Sequence, residues 1–430
     1  MRSQKVYDVI GIGIGPFNLG LAALSHDISE LSCIFFDKQN EFNWHGGMLL
    51  DNARLQVPFL ADLVTLANPC SRFSYLNYVH SKGRIIPFGI HEQYYILRKE
   101  YNDYCKWVVS QVPKLRFGCA CESVRFLKSK KIYEVLIKEN SSESTLKFYA
   151  KHVVVGVGTV PAIPAFAMNL GSENVIHSSN YLISREKLLA KRSIAIIGSG
   201  QSAAEIFNDL LENEQKFSSL CWFTRSERFY PMDFSKLTVE MTSPDYIDYF
   251  YKLPKHKKSK ILASQEVLYK GINYSLIAEI YDRLYTLNLS GRKNHINIYP
   301  ACALKNIRKI NNDAFLLKFE HVEMEREFQH ETEAIVLATG YKYVFPEFLR
   351  YVKERICFNR DGSYDVNENY SIDLDNSIFV QNAELDTHGF NAADLGMGPH
   401  RNAVILNSIL EKEFYQIQKN TSFQTFGLPS

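Results

Sequence analysis

Twice along this chain an apolar, β-rich run ends in a glycine turn that opens onto a helical pattern. The first unit runs from Tyr7 to Ile14 into Phe17 to Leu24, and the second from Ser193 to Ile197 into Ser202 to Leu211. Glycine in such a turn lets backbone amides at a helix start approach a pyrophosphate without Cβ interference, and the helix dipole favours the phosphate charge. Two openings of this kind predict an α/β fold with two Rossmann-like dinucleotide-binding domains.

In the first unit the turn residues are Gly11, Gly13 and Gly15, with Pro16 where a third fingerprint glycine often stands. Proline suits the first helical turn because its missing N–H has no partner there. Asp37 closes the next strand-like run, Cys33 to Phe36, where an acid reads a ribose diol. In the second unit Gly198, Gly200, Gln201 and Ser202 repeat the pattern, but the following strand, Leu220 to Thr224, ends in Arg225 with Arg228 nearby. A cation there suits a 2′-phosphate and favours NADPH over NADH, although Arg225 also reads as an ordinary surface arginine. Thr339 and Gly340 form a third small-residue turn after the apolar run Ala334 to Ala338.

The second unit lies in mid-chain, after the stretch Pro161 to Pro164. The NADPH domain, 190–330, is therefore expected as an insertion in an FAD domain built from 1–165 and 331–430. The 430 residues carry 49 basic and 47 acidic side chains spread evenly, so no field arises to draw in nucleic acid or an anionic membrane. Glycines break up the only long apolar start, which reads as neither membrane span nor signal peptide. Eight scattered cysteines without a CxxC predict reduced thiols and a cytoplasmic protein, against a disulfide reductase or a zinc site. The basic run Lys255 to Lys260 reads as a solvated loop. No hydrolase or phosphoryl-transfer signature is present.

With these motifs placed, the chain resembles the flavin-dependent N-hydroxylating monooxygenases of siderophore biosynthesis, which act on lysine, ornithine or diamines. The segments carrying the likeness are GIGPFNLGLAAL from Gly13, NWHGGMLLD from Asn43, LQVPFLADLVTLANP from Leu55, GSGQSAAE from Gly198, GINYSLI from Gly271, LATGY from Leu337 and THG from Thr387. The resemblance implies FAD on Gly11, Gly13, Gly15, Asp37, Trp44, His45 and Gln56, closed over by the loop Asp394 to Gly398 with Leu395 and Gly396. It implies NADPH along Gly198 to Ser202 and Arg225, and a homo-oligomer, tetramer or dimer. The implied reaction reduces FAD with NADPH, captures dioxygen as a C4a-hydroperoxyflavin, and lets an unprotonated amine attack it near Asn273. Read from the residues alone, Trp44 also fits plain core, His45 a structural histidine, Gln56 a surface residue and Asn273 a turn.

Two departures concern the far end of the substrate. The amino-acid hydroxylases carry a carboxylate-binding lysine where this chain has Ala61, and an asparagine of the ornithine enzymes aligns with Val239. Burying a carboxylate without its cation costs several kcal/mol, so the expected substrate is a diamine, putrescine before cadaverine. Its second ammonium needs an acid, for which Glu240, Glu384, Asp386 and Asp394 are candidates, with Asp394 favoured. The rivals are an L-lysine or L-ornithine monooxygenase, a sulfur- or ketone-oxidising flavoenzyme, and a flavin-binding redox sensor without turnover.

Overall fold

The structure is a computed structural model that describes residues 5–142, 144–168, 170–311 and 314–429. The chain enters a sheet at β1 (Val6–Ile12), crosses over through helix α1 (Pro16–Ser25), and pairs in parallel with β2 (Cys33–Phe36). Strands β3 (Leu115–Arg116), β4 (Cys119–Leu127), β5 (Ile132–Glu139) and β6 (Thr145–Val155) follow, in the spatial order β3-β2-β1-β6-β5-β4. β1 lies between two parallel neighbours, β2 and β6, and its Val9 and Ile10 are buried. A parallel strand covered on both faces reads as an unbroken apolar run, which is why β1 is legible. β4 and β5 add an antiparallel extension that the apolar-run reading does not reveal.

After β6 the chain builds a second, all-parallel sheet. Its strands are β7 (Val175–His177), β8 (Ser193–Ile197), β9 (Ser219–Phe223), β10 (Ile296–Tyr299) and β11 (Ala334–Leu337), in the order β10-β9-β8-β11-β7. A three-stranded antiparallel sheet, Cys302–Asn311, Ala314–His321 and Arg326–Thr332, packs beside it. The chain then returns, and β12 (Ile378–Val380) pairs in parallel with β6. One Rossmann-like unit is thus inserted in the other, as the doubled glycine turn predicts.

Five further helices position the site: α2 (Arg98–Val109), α3 (Gln201–Leu211), α4 (Pro244–Lys252), α5 (Tyr274–Leu289) and α6 (Met397–Leu410). α6 packs on α1, and Asn402 Nδ2 donates to the Phe17 carbonyl at 3.0 Å. The loop expected over Lys255 to Lys260 is instead the start of a helix, Lys255–Ser264. Its buried residues are Leu262 and Lys258, whose Nζ donates to the carbonyls of Tyr251, at 2.8 Å, and Thr387, at 3.2 Å. The aliphatic stem of Lys258 fills apolar space while the ammonium finds oxygen partners, which a count of charges along the sequence does not reveal.

Candidate dinucleotide and substrate site

The first glycine turn is shaped by two contacts. A Cβ on Gly11 would stand 2.0 Å from the Phe35 ring, and Gly13, at φ +88°, lies against the Gly156 carbonyl. Gly15 is different: its φ is −80° and no atom lies within 4 Å of its would-be Cβ. None of the described residues requires glycine there, whereas a phosphate brought close to the backbone does. Pro16 is the first residue of α1. Beneath the turn Asn18, fully buried, donates to the Gly13 carbonyl at 2.8 Å and accepts from Gln381 Nε2 at 2.6 Å. Asp37 stands at the end of β2, and its two oxygens accept from Ile14 N at 2.6 Å and Gln39 N at 2.8 Å. The carboxylate therefore holds the glycine turn against β2 as well as facing the edge where a ribose would lie.

At the second turn Gly198 has φ +149° and its would-be Cβ meets the Ala338 carbonyl, so β8 and β11 pass at glycine distance. Gly200 is the N-cap of α3, with Gln201 and Ser202 in its first turn. Arg225 is exposed just past β9. Gly340, φ +79°, has nothing within 4 Å of its would-be Cβ, and the Thr339 hydroxyl donates to the Ala162 carbonyl at 2.9 Å.

Between the two turns runs a hydrogen-bonded chain that ties the sheets together. Arg98 on α2 forms a bidentate ion pair with Glu205 on α3, at 2.8 and 3.0 Å. Glu205 Oε1 also accepts from Gln201 Nε2 at 2.9 Å, and Gln201 Oε1 accepts from the Asn273 amide at 2.8 Å. Gln56 Nε2 donates to Gln201 Oε1 at 3.4 Å and to the Gly271 carbonyl at 3.3 Å. Gln56, Gln201 and Asn273 are thereby brought together from positions far apart in sequence. Asn273 is the N-cap of α5, its Oδ1 accepting from the Ser275 amide at 3.0 Å and hydroxyl at 2.7 Å. The turn reading and the ligand reading of Asn273 are compatible: with Oδ1 in the cap, Nδ2 is the group it offers to a ligand.

Trp44 packs on Tyr101 and on His45, with ring centroids 5.3 and 4.6 Å apart. His45 takes left-handed backbone, φ +53°, and its ring faces Tyr341 at 6.0 Å. Its surface is open although it sits deep among protein atoms, the signature of a cleft wall. Burial and then the Arg98 charge push its imidazole down to about 4, so it stands neutral at pH 7.

Farther from the glycine turns, Ala61 is buried, and Gly396 is so placed that a Cβ there would stand 3.6 Å from Ala61 Cβ and 3.0 Å from Asp394 Oδ1. Gly396 therefore adjoins both Ala61 and Asp394. Asp394 Oδ1 accepts from Gly396 N at 2.7 Å, and burial pushes its carboxyl up. Leu66, which adjoins Gly396, and Met397 then line a cavity of about 370 Å³ with Val239, Glu240, His400 and the C-terminal tail. Burial pushes His400 down to about 4. One cation, Lys236, reaches this lining, from an exposed position at the rim. Glu240 accepts from the backbone amides of Phe423, at 2.9 Å, and Gln424, at 3.0 Å. Two other candidate acids stand elsewhere: Glu384 is buried in an ion pair with Arg401 at 2.8 Å, and Asp386 is exposed near Asp361 and Ser363.

Several contributors are absent from the sequence-based site. Asp62 orders the loop that presents Ala61, its carboxylate accepting from the amides of Val64, Thr65 and Tyr75. Asn18, Arg98, Glu205, His400 and the tail were missed as well. An asparagine two residues after Pro16 is the one local signal among these; the rest depend on partners tens to hundreds of residues away.

The comparisons agree with this geometry. The family model for L-lysine 6-monooxygenase/L-ornithine 5-monooxygenase matches residues 5–343. A putrescine N-hydroxylase of Shewanella oneidensis is 43% identical over 429 residues, covering 99% of this chain and 85% of its own. A crystal structure of an FAD-bound cadaverine monooxygenase of desferrioxamine biosynthesis from Erwinia amylovora superposes with a TM-score of 0.97 at 45% identity, covering 99% of this chain and all of its own. An ornithine N-hydroxylase of a Kutzneria species, with reduced FAD, NADP+ and L-ornithine, superposes with a TM-score of 0.88 at 26% identity, covering 95% of this chain and 99% of its own.

Proposed function

The chain belongs to the L-lysine 6-monooxygenase/L-ornithine 5-monooxygenase family, and from that premise we propose that it N-hydroxylates one terminal amine of a small aliphatic diamine, putrescine first and cadaverine second, for hydroxamate siderophore synthesis. The observation that carries the substrate reading is that Gly396 adjoins both a buried Ala61 and the carboxylate of Asp394: where the amino-acid enzymes resemble one another in having a cation, this chain has a methyl group, with a carboxylate nearby. The named activities of the diamine-acting relatives point the same way.

FAD fits the first turn, held at Gly11, Gly13, Gly15, Pro16 and Asp37, with Trp44, His45 and Gln56 on the facing wall and Thr339, Gly340, Leu395 and Gly396 closing the site. NADPH fits Gly198, Gly200, Gln201, Ser202 and Arg225, where the glycine N-cap of α3 and the exposed cation just past β9 suit a phosphorylated ribose. Together they supply the electrons that activate dioxygen for transfer of one oxygen atom to the amine.

The residues of the chain have three tasks. An aliphatic amine is protonated at pH 7, with an ordinary pKa of about 10.4, and must lose that proton to act as a nucleophile. Nδ2 of Asn273 donates hydrogen bonds, so it favours the neutral amine with its lone pair over the ammonium. Neutral His45 adds no positive charge to the cleft and Gln56 braces the Asn273 segment. The distal ammonium remains charged, and Asp394 is its counter-ion. Leu66, Val239 and Met397 supply apolar walls for the methylenes and exclude water.

Lys236 at the rim is the one observation favouring an amino-acid substrate, but it is exposed and shares its cavity with Glu240. The deciding experiment measures hydroxylamine formation and NADPH oxidation with putrescine, cadaverine, 1,3-diaminopropane, L-lysine and L-ornithine. A higher kcat/KM for either amino acid than for every diamine overturns the diamine reading. The same proposal includes a cytoplasmic homo-oligomer. It is supported by the exposed stripe Tyr274, Tyr281, Tyr285 and Leu289 along α5, and no helix among the described residues is long and apolar enough to cross a membrane.

A further inference from the structure

Residues 414–426 are tied back to the rest of the fold at both ends. After α6, Asn407 Oδ1 accepts from the amides of Phe414 and Tyr415, both at 2.9 Å, and the buried Tyr415 hydroxyl donates to the Leu24 carbonyl at 2.7 Å. This fixes the near end of the tail to the first sheet's helices. The far end is fixed to the insertion. Asp245, in the first turn of α4, accepts from the amides of Asn420, Thr421 and Ser422 at 2.8, 2.6 and 2.9 Å, and from the Thr421 hydroxyl at 2.9 Å. Glu240 takes the next two amides and the Gln424 side chain, and the Ser422 hydroxyl donates to Ser243 Oγ at 3.0 Å. Phe426 then packs edge-on against Tyr246, centroids 5.1 Å apart.

Five consecutive main-chain amides are thus received by two carboxylates, although the segment forms neither helix nor strand. Charge-assisted bonds of this kind are about twice as strong as neutral ones, so the segment is held in place. The cavity lined by Leu66, Val239, Met397 and His400 is also lined by Gln416, Ile417, Gln418, Thr421 and Ser422 of this segment.

We propose that residues 416–424 are a strap that closes the far end of the amine pocket and sets the length of diamine it accepts, with Asp245 and Glu240 as its anchors. The proposal rests on the reading of this cavity as the amine pocket. The strap bridges the two sheets across the cavity, so the depth of the pocket is fixed by tail residues and not by the loops that carry the glycine motifs. Apart from Ile417, its cavity-lining side chains are neutral and polar: the amide oxygens of Gln416 and Gln418 and the hydroxyl oxygens of Thr421 and Ser422 are acceptors for the far ammonium of a diamine long enough to reach past Asp394. Glu240 acts through the strap as a positioning residue.

The test compares the intact FAD-loaded enzyme with Asp245→Asn and with a chain ending at Lys419, using unbranched diamines of three to eight carbons. One methylene in a fitted pocket is worth about tenfold or more in kcat/KM, so the intact enzyme should separate neighbouring diamines by that factor. In the shortened chain the separation should fall to about twofold or less, with KM for the preferred diamine raised about tenfold. Asp245→Asn should shift both in the same direction by less. Flavin content and the rate of flavin reduction by NADPH should stay at the intact value, because the strap's anchoring hydrogen bonds among the described residues go to the segment Leu237 to Asp245 and not to either glycine turn. An unchanged length preference in both variants overturns the strap, as does a loss of flavin in Asp245→Asn. An intact enzyme that hydroxylates no diamine overturns the substrate reading itself and the proposal built on it.

Discussion

Arg98 and Glu205 meet in a nearly buried bidentate ion pair, at 2.8 and 3.0 Å, and join helix α2 beneath the first glycine turn to helix α3 behind the second. Removing one partner of such a pair leaves an uncompensated charge, at a cost of about 3–5 kcal/mol, whereas replacing both by apolar residues is close to neutral. Glu205→Leu should therefore lower unfolding stability by about that amount, and Glu205→Leu with Arg98→Met should recover most of it. Both variants lose the acceptor that holds Gln201 Nε2. Flavin reduction by NADPH should be slower than in the parent in both, so urea melts and stopped-flow absorbance separate the two effects.

The contrast between Gly15 and Gly13 yields a second expectation. Gly15→Ala meets no protein atom and keeps an ordinary φ, so unfolding of the flavin-free protein should change by no more than about 1 kcal/mol, the scale of an N-cap substitution. Flavin affinity should nevertheless fall by at least tenfold. Gly13→Ala forces a Cβ to 2.4 Å from the Gly156 carbonyl at a left-handed φ, and should lose both stability and flavin. Thermal melts without flavin, paired with flavin titrations, distinguish the two.

Ala61→Lys places an ammonium where the distal charge of a diamine should lie, beside Asp394. KM for diamines should rise at least tenfold, and turnover of L-lysine or L-ornithine should gain relative to them. The buried site also charges about 1–3 kcal/mol for the added volume, visible as a lower melting temperature. Unchanged diamine kinetics would remove Asp394 and Ala61 from the substrate site.

His388 makes the acid limb of stability steep. It is 2% exposed and stacks on Tyr370 at 4.4 Å. Burial, with the charges of Arg401 and Lys258, pushes its imidazole from the ordinary 6.5 down to about 3. The unfolded chain takes up the proton below 6.5 while the folded chain does not. Stability therefore falls as pH drops from 6.5 toward 3, by about 1.4 kcal/mol per pH unit from this group. His400, pushed down to about 4 by burial, acts in the same direction. Melting temperatures measured from pH 7 to pH 4 should fall less steeply for His388→Phe than for the parent.

The two glycine turns, their strands and Asp37 were legible because each is a local pattern: a run, a turn and a helix start within about two dozen residues. Ala61 and Val239 were legible only as departures from a resemblance. The Arg98 to Glu205 pair spans 107 positions and the Glu240 to Phe423 bond spans 183, so neither leaves a trace in any window of sequence. Lys255 to Lys260 misled because charge hides a helix that turns one lysine inward and buries Leu262 beyond the basic run. Glu240 and Glu384 show the same limit: an acid's identity is local, but whether a backbone amide, an arginine or a ligand meets it is decided by the fold.

The return of β12 to β6 fixes an order of assembly during synthesis. The second sheet has all its strands once residue 337 has emerged, while β6 keeps an open edge and Asn18 lacks Gln381 until some forty residues later. The inserted unit is therefore free to fold on the ribosome ahead of the unit that surrounds it. A chain that stalls in that interval exposes an unpaired parallel edge, an aggregation hazard that a bound flavin arrives too late to cover.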